Sequence, residues 1–475
     1  MSGRKSTDSQ DRPGTARRAL LTGGVAGLAA VAGTTLGRVQ PASAATSPSV
    51  TDWVNVVTEG ADPTGGSDSY SAIQAAINAA AALLNNGVVY FPPGTYLIES
   101  GLLVLPGVIL LGPHPYGQDW WAKAGAVIQI GSGFTPQPSY PVSAAIGIFD
   151  KASNGSAATA VSQCGVYNLD IEGGGGPVGV DGIATFGSVD ALNIRNVALH
   201  NIPGNGIVGY RNSSSTPFPD GWTVADVAIV NAGSNPVSNS SGGTNNVTWE
   251  ADGFQLTGND HSLDNVHSEG SGTAGQSGNG FNIAGSNIRC SRLRAEGNGL
   301  DGFLWASIAG GGNWSGITFA SCSTQGNNNN GARITNTSGG GQQLNNVAEF
   351  RGCRFEGDGK NGGGGGGGLA GIRVEGGNIV TVSDCDILVK SNSVSTGCPQ
   401  WALATGTVGS APGKPMLVQA LGGFWSCVPG SGTSPWNDAA PAGLLSVSVH
   451  AYVGTSTSPL PSATTVPVIK QTNPL

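Results

Sequence analysis

The sequence predicts an all-β chain wound as a right-handed parallel β-helix with an N-terminal capping helix. Three observations carry that prediction: a recurring four-point apolar pattern, a Gly-opened strand between its copies, and a composition suited to short strands and tight turns. Charged residues make up 11% of the 475 and glycine reaches 79, which leaves little helix-forming surface and much turn-forming backbone. Aliphatic and β-branched residues stay plentiful, which excludes a disordered chain.

The pattern reads apolar-x-apolar-x-x-apolar-x-(apolar or small). It runs through Cys164, Val166, Leu169, Ile171; Leu192, Ile194, Val197, Leu199; Trp222, Val224, Val227, Ile229; and His261, Leu263, Val266, Ser268. It continues through Ile288, Cys290, Leu293, Ala295; Ile317, Phe319, Cys322, Thr324; Ala348, Phe350, Cys353, Phe355; and Val380, Val382, Cys385, Ile387. The third positions of these eight copies are 28, 30, 39, 27, 29, 31 and 32 residues apart. Each half alternates inward and outward as a strand does. The two-residue gap between halves shifts the phase, so the chain must bend there. Asn168, Asn196, Asp226 and Asn265 stand at that bend, and Asn and Asp tolerate left-handed backbone.

A third strand, opened by Gly, separates the copies. It appears as Asp181-Gly182-Ile183, Asn205-Gly206-Ile207, Asp252-Gly253-Phe254, Asn279-Gly280-Phe281, Asp301-Gly302-Phe303, Asn330-Gly331-Ala332 and Ala370-Gly371-Ile372. Three short strands per coil cannot bury an apolar face alone, so the coils must stack.

At the start of the stack, residues 69–84 read as an amphipathic helix with Asp68 or Ser67 as N-cap, stopped by Asn85-Asn86-Gly87. Val88 to Phe91 then reads as a buried strand. The coils, with this cap, are expected over residues 45–390. Residues 391–475 are expected as an irregular and β cap region of the same domain, with one strand from Leu444 to Val453.

Residues 1–44 read as a twin-arginine-type signal peptide: Arg17-Arg18, an apolar run from Ala19 to Gly37, and small residues Ala42-Ser43-Ala44. The expectation is a secreted, extracellular protein with no membrane association after cleavage. The rest of the chain holds 15 basic and 27 acidic residues, which argues against nucleic acid and anionic lipid as partners. A polysaccharide fits better, and a polyanionic one requires a local Arg cluster. The seven Cys match neither a zinc site nor a dense disulfide framework. Cys398 and Cys427 are the candidate disulfide.

Val54-Asn55-Val56, Gly60-Ala61-Asp62, Asp68, Ala72-Ile73-Gln74-Ala75-Ala76-Ile77 and Gly87 through Tyr96 resemble the opening of the pectate-lyase-like superfamily. That superfamily includes rhamnogalacturonase-like and family 28 glycoside hydrolase-like proteins. The resemblance implies the β-helix and a carbohydrate ligand, not one reaction. Of the family 28 motifs, Ala251-Asp252-Gly253-Phe254-Gln255 retains the Asp-Gly, and Gly331-Ala332-Arg333-Ile334-Thr335 is similar to the Arg motif without its Lys. No paired Asp and no Gly-His-Gly follow Asp252.

In the Gly-opened strand, the residue before Gly and the residue two after it are expected to face solvent. Glycoside hydrolysis needs two carboxylates flanking one bond. Asp252 and Asp301 are the candidates, two coils and therefore roughly 9–10 Å apart. Gln255, Asn282, Arg333, Trp249 and His261 are the candidate substrate-binding residues. The same Asp/Asn recurrence also fits a ladder that satisfies turn backbone, and His261 also fits a hydrogen-bonded core position. A second column, Glu172, His200, Glu269, Glu296, Gln325 and Glu356, reads as a turn feature. Asp384-x-Asp386 makes a poor Ca²⁺ site, so no metal or cofactor is expected, Ca²⁺ entering only with lyase chemistry. The leading expectation is a glycoside hydrolase. The alternatives are a polysaccharide lyase and a non-catalytic glycan-binding or surface-structural β-helix.

Overall fold

A computed structural model describes residues 53–83, 87–113, 125–137, 143–149, 161–177, 179–210, 219–234, 251–272, 278–307, 315–336, 346–359, 370–375, 378–388, 401–406, 416–427, 436–438 and 445–455. The expected signal peptide, Trp249 and Cys398 lie outside the described residues.

The apolar pattern winds into one bent sheet of 21 parallel-paired strands. In three coils a single strand passes through the bend unbroken: Asn193–His200, Thr223–Val230 and Ser262–Glu269. The first halves stack in the register Val166, Ile194, Val224, Leu263, Cys290, Phe319, Phe350, Val382. The second halves stack as Ile171, Leu199, Ile229, Ser268, Ala295, Thr324, Phe355, Ile387. All of these are buried. The bend is left-handed at Asn168, Asn196, Asp226 and Asn265, with φ from 51° to 56°. Later coils put Arg292, Ser321, Gly352 and Asp384 there instead, also at positive φ.

The Gly-opened strands form a second, eleven-stranded sheet. Their glycines are set by crowding. A Cβ on Gly253 would lie 2.0 Å from Ser268 Oγ, and one on Gly206 would lie 2.5 Å from the Gly253 carbonyl oxygen. Just after each glycine an apolar side chain turns inward. Phe254, Phe281 and Phe303 thereby join Phe319 and Phe350 in an aromatic column, with centroids 5.9, 5.5, 5.2 and 4.9 Å apart. Each buried ring contributes roughly 1.5–3 kcal/mol of transfer free energy, which no coil could gain without its neighbours.

The helix spans Tyr70–Ala81 and buries Ile73, Ala76, Ile77 and Ala80 in the same core. Its N-cap position is Ser69 rather than Ser67 or Asp68. Asp68 Oδ1 still accepts the Tyr70 N–H, at 3.0 Å, while Ser69 Oγ turns away to accept the Asp62 N–H. This helix is too short to cross a membrane, and no other described helix is long and apolar enough to do so.

Parallel pairing runs past residue 390, into the region expected as an irregular and β cap. Met416–Cys427 continues the bent sheet through Ile379 beside Leu417 and is itself paired with Leu445–Thr455. Trp401–Gly406 and Trp436–Asp438 extend the Gly-opened sheet. The length and composition of the intervening sequence break the spacing that marks the earlier coils.

Candidate active site on the Gly-opened sheet

The residues before the glycines do not face solvent. Asp252 and Asp301 are 0% and 1% exposed, because their side chains turn along the helix axis toward the next coil. Asp181 Oδ1 accepts the Asn205 N–H at 2.7 Å, and Asn205 Oδ1 accepts the Asp252 N–H at 2.9 Å. Asp252 Oδ1 accepts the Asn279 N–H at 2.7 Å, Asn279 Oδ1 the Asp301 N–H at 3.2 Å, and Asp301 Oδ1 the Asn330 N–H at 2.9 Å. Asn330 Oδ1 accepts the Ala370 N–H and ends the ladder. Buried backbone donors need such acceptors. The expectation that this column projects into a groove is therefore corrected: its first duty is to hold coil to coil.

From Gly253 onward the outward column lies two residues after the glycine, where it was expected, whereas Ala184 and Val208 at the same place in earlier coils are buried. Gln255, Asn282 and Arg333 stand there, in register with Leu304 and Arg373. Asn282 Nδ2 donates to Asp252 Oδ2 at 2.8 Å, so both oxygens of Asp252 serve the framework.

Asp301 differs. Its Oδ2 lies 3.6 Å from Arg333 Nη1, and Arg333 Nε lies 3.8 Å from Glu375 Oε2. Arg373, beside Arg333 on the next coil, donates from Nε to Glu375 Oε1 at 2.9 Å. Burial pushes the Asp301 carboxyl above the usual carboxylate range; Arg333 opposes that shift and the Glu375 charge adds to it. A single guanidinium thus spans a buried carboxyl and a second carboxylate. That places the two carboxyl groups within roughly 10 Å of each other, inside the range over which a pair of glycosidase carboxyls works. Glu375 escapes the sequence reading. It sits one outward step beyond Arg373, and following the column two residues further along the strand would have found it.

His261 is not on this face. It is 1% exposed inside the coil, Nδ1 accepts the Trp222 N–H at 3.1 Å, and the ring stands edge-on to Trp222. Burial lowers its pKa to about 4, which makes it a neutral core residue and corrects its assignment to substrate binding. In the second column, Glu172 Oε1 accepts hydrogen bonds from the Gly174 N–H and from Asn201 Nδ2, both at 3.0 Å, as a turn residue does. Glu269 and Glu296 instead face His267.

Stacked parallel coils with a left-handed Asn bend and a charged outer face define a right-handed β-helix of the pectate-lyase-like class. The family model described as rhamnogalacturonase A/epimerase, pectate lyase-like, matches residues 53–301, and the chain belongs to that family. Among solved structures it is similar to the A-module of the mannuronan C-5 epimerase AlgE4 of Azotobacter vinelandii. That match has 16% identity and a TM-score of 0.53, and covers 86% of this chain and all of that one. It is also similar to the gp42 tailspike of Acinetobacter phage vb_AbaP_AS12, at 9% identity and a TM-score of 0.55, over 85% of this chain and 63% of that one. The Dettilon tailspike protein matches at 12% and 0.52, over 83% and 70%. At these identities the likeness is one of fold. No curated protein sequence matches the chain.

Proposed function

We propose that the protein is an exported enzyme that hydrolyses an acidic polysaccharide laid along the outer face of the Gly-opened sheet. Asp301 and Glu375 are its paired carboxylates; Arg333 and Arg373 bind the sugar carboxylate. The observation that carries this reading is Arg333 poised between Asp301 and Glu375 at 3.6 and 3.8 Å. Adjacent arginines on neighbouring coils supply the local Arg cluster that a polyanion needs on a chain rich in acidic residues. The family match and the polysaccharide epimerase among the structural neighbours support a glycan as the substrate class.

The proposed chemistry follows from the same four side chains. A substrate carboxylate that engages Arg333 removes the charge holding the Asp301 pKa down. Burial then acts with less opposition, and Asp301 retains a proton to donate to the leaving oxygen. Glu375, with Arg373 positioning it, activates water.

The test is a panel of uronate-containing and neutral polysaccharides, with reducing-end and product analysis. Turnover is expected on an acidic member, and Asp301→Asn and Glu375→Gln should each lower kcat by about 10²–10⁴-fold. Arg373→Ala should raise KM more than it lowers kcat, and Asp252→Asn should leave turnover unchanged. Unsaturated, ultraviolet-absorbing products would replace hydrolysis by β-elimination. Retention of glycan without turnover would leave a binding protein.

A further inference from the structure

On the bent sheet, away from the proposed groove, the coil register gathers one imidazole and two carboxylates. His267 and Glu269 are alternate residues of the strand Ser262–Glu269. In the next coil Arg294 lies beside His267 and Glu296 beside Glu269. Val266 and Ser268 fill the core positions of this strand, so His267 and Glu269 share its outer side. His267 Nε2 lies 3.9 Å from Glu269 Oε2 and 3.8 Å from Glu296 Oε2, and the three donor atoms all fall within 4.8 Å of one another.

We propose that His267, Glu269 and Glu296 bind one divalent transition-metal ion, of which Zn²⁺ is the best match, as a clamp between two coils. One nitrogen and two carboxylate oxygens form a donor set that Zn²⁺ accepts, with bonds of about 2.0–2.2 Å. Tetrahedral ligands at those bond lengths stand about 3.3–3.5 Å apart. The imidazole's distances to both carboxylates therefore need to close by only a few tenths of an ångström.

The surroundings fit the ion as well. His267 is only 5% exposed, while the side chains of Glu269 and Glu296 are 36% and 25% exposed. The imidazole thus forms the floor and the open coordination position faces outward. Arg294 Nη2 pairs with Glu296 Oε1 at 2.5 Å, which leaves Oε2 directed at His267, as an outer-shell partner orients a metal ligand. Val230 and Gln325 flank the two glutamates in register, so these donors are confined to two coils.

The experiment uses the full protein stripped with a chelator, then titrated with ZnCl₂ by calorimetry and with CoCl₂ by visible absorption. One equivalent should bind, with ligand-field bands for Co²⁺. His267→Gln, Glu269→Gln and Glu296→Gln should each weaken binding at least ~10-fold. Glu349→Gln, a glutamate paired with Arg351 elsewhere on the sheet, should leave it unchanged. Thermal melts of the stripped variants establish that each is folded; if His267→Gln is not, the partly exposed Glu296→Gln carries the test. Absence of stoichiometric binding overturns the proposal, as does binding that the Glu variants leave intact or a preference for CaCl₂ that survives His267→Gln.

Discussion

His261 makes the stability of the coil stack depend on pH between about 4 and 6.5. The ring is buried beneath Trp222 and its pKa falls from 6.5 to about 4. In the unfolded chain it takes up a proton near pH 6.5; in the folded chain it stays neutral until about pH 4. The unfolded state therefore binds more protons throughout that interval, and stability falls as pH drops from 6.5 toward 4. At 1.36 kcal/mol per unit, the loss is about 3 kcal/mol by pH 4 and nil above pH 7. His261→Leu removes the titration and places at this position the residue that Leu192 supplies two coils earlier. It also leaves the Trp222 N–H without its acceptor, a cost of about 1–3 kcal/mol that is the same at every pH. Urea unfolding of both proteins at pH 7.5, 5.5 and 4.5 separates the two effects. The stability gap between parent and variant should shift by about 2–3 kcal/mol in the variant's favour from pH 7.5 to 4.5. A constant gap across that range would refute the buried, neutral placement.

Val266→Asp and Leu293→Asp each put a carboxylate into the stacked core at positions almost fully buried; the cost should be several kcal/mol and stable folding should be lost, as circular dichroism melts would reveal. Cys322, Cys353 and Cys385 fill successive interior positions and are free thiols. The Cys353 pKa is raised to about 12, first by its hydrogen bond with Cys322, and that of Cys385 is raised by its bond with Cys353 and by burial. A thiol reagent should leave all three unmodified in native buffer and label them in denaturant; rapid native labelling would contradict their placement.

The coils were legible because inward positions repeat with one phase. Val166 to Val382 and Ile171 to Ile387 stack in the order the pattern gives. The charged sites were less legible. Asp-Gly shows where a strand opens, but not that the Asp side chain turns along the axis to the next coil's N–H rather than out to solvent. His267 sends no signal of its own, because a polar residue is ordinary at an outward position, whereas His261 interrupts an apolar column. Alternation together with the phase shift at the Asn265 bend puts His261 and Val266 inward and His267 outward. Arg333 was visible, but its link to Glu375 depends on which atoms a long side chain reaches, which no spacing encodes.

Under the proposed function, the ladder explains why Asp301 and not Asp252 supplies the acid. Asp and Asn alternate strictly from Asp181 to Asn330. Adjacent coils are ~4.8 Å apart, and two carboxylates at that spacing would repel by about 3.5 kcal/mol at an effective dielectric of 20. Doubling the spacing roughly halves the repulsion. The intervening amides supply acceptors without charge, and those of Asn205, Asn279 and Asn330 donate Nδ2 to the preceding Asp. One oxygen of each Asp is thereby fixed in the same way. The second oxygen of Asp252 and of Asp301 lies beside the outward residue of the following coil, three positions after the ladder Asn: Asn282 above Asp252 and Arg333 above Asp301. An amide at 2.8 Å closes the oxygen into the framework. Arg333 is partly exposed and 3.6 Å away, so in the proposed reaction the rung that holds two coils together also serves as the proton donor, because its outward neighbour is an arginine.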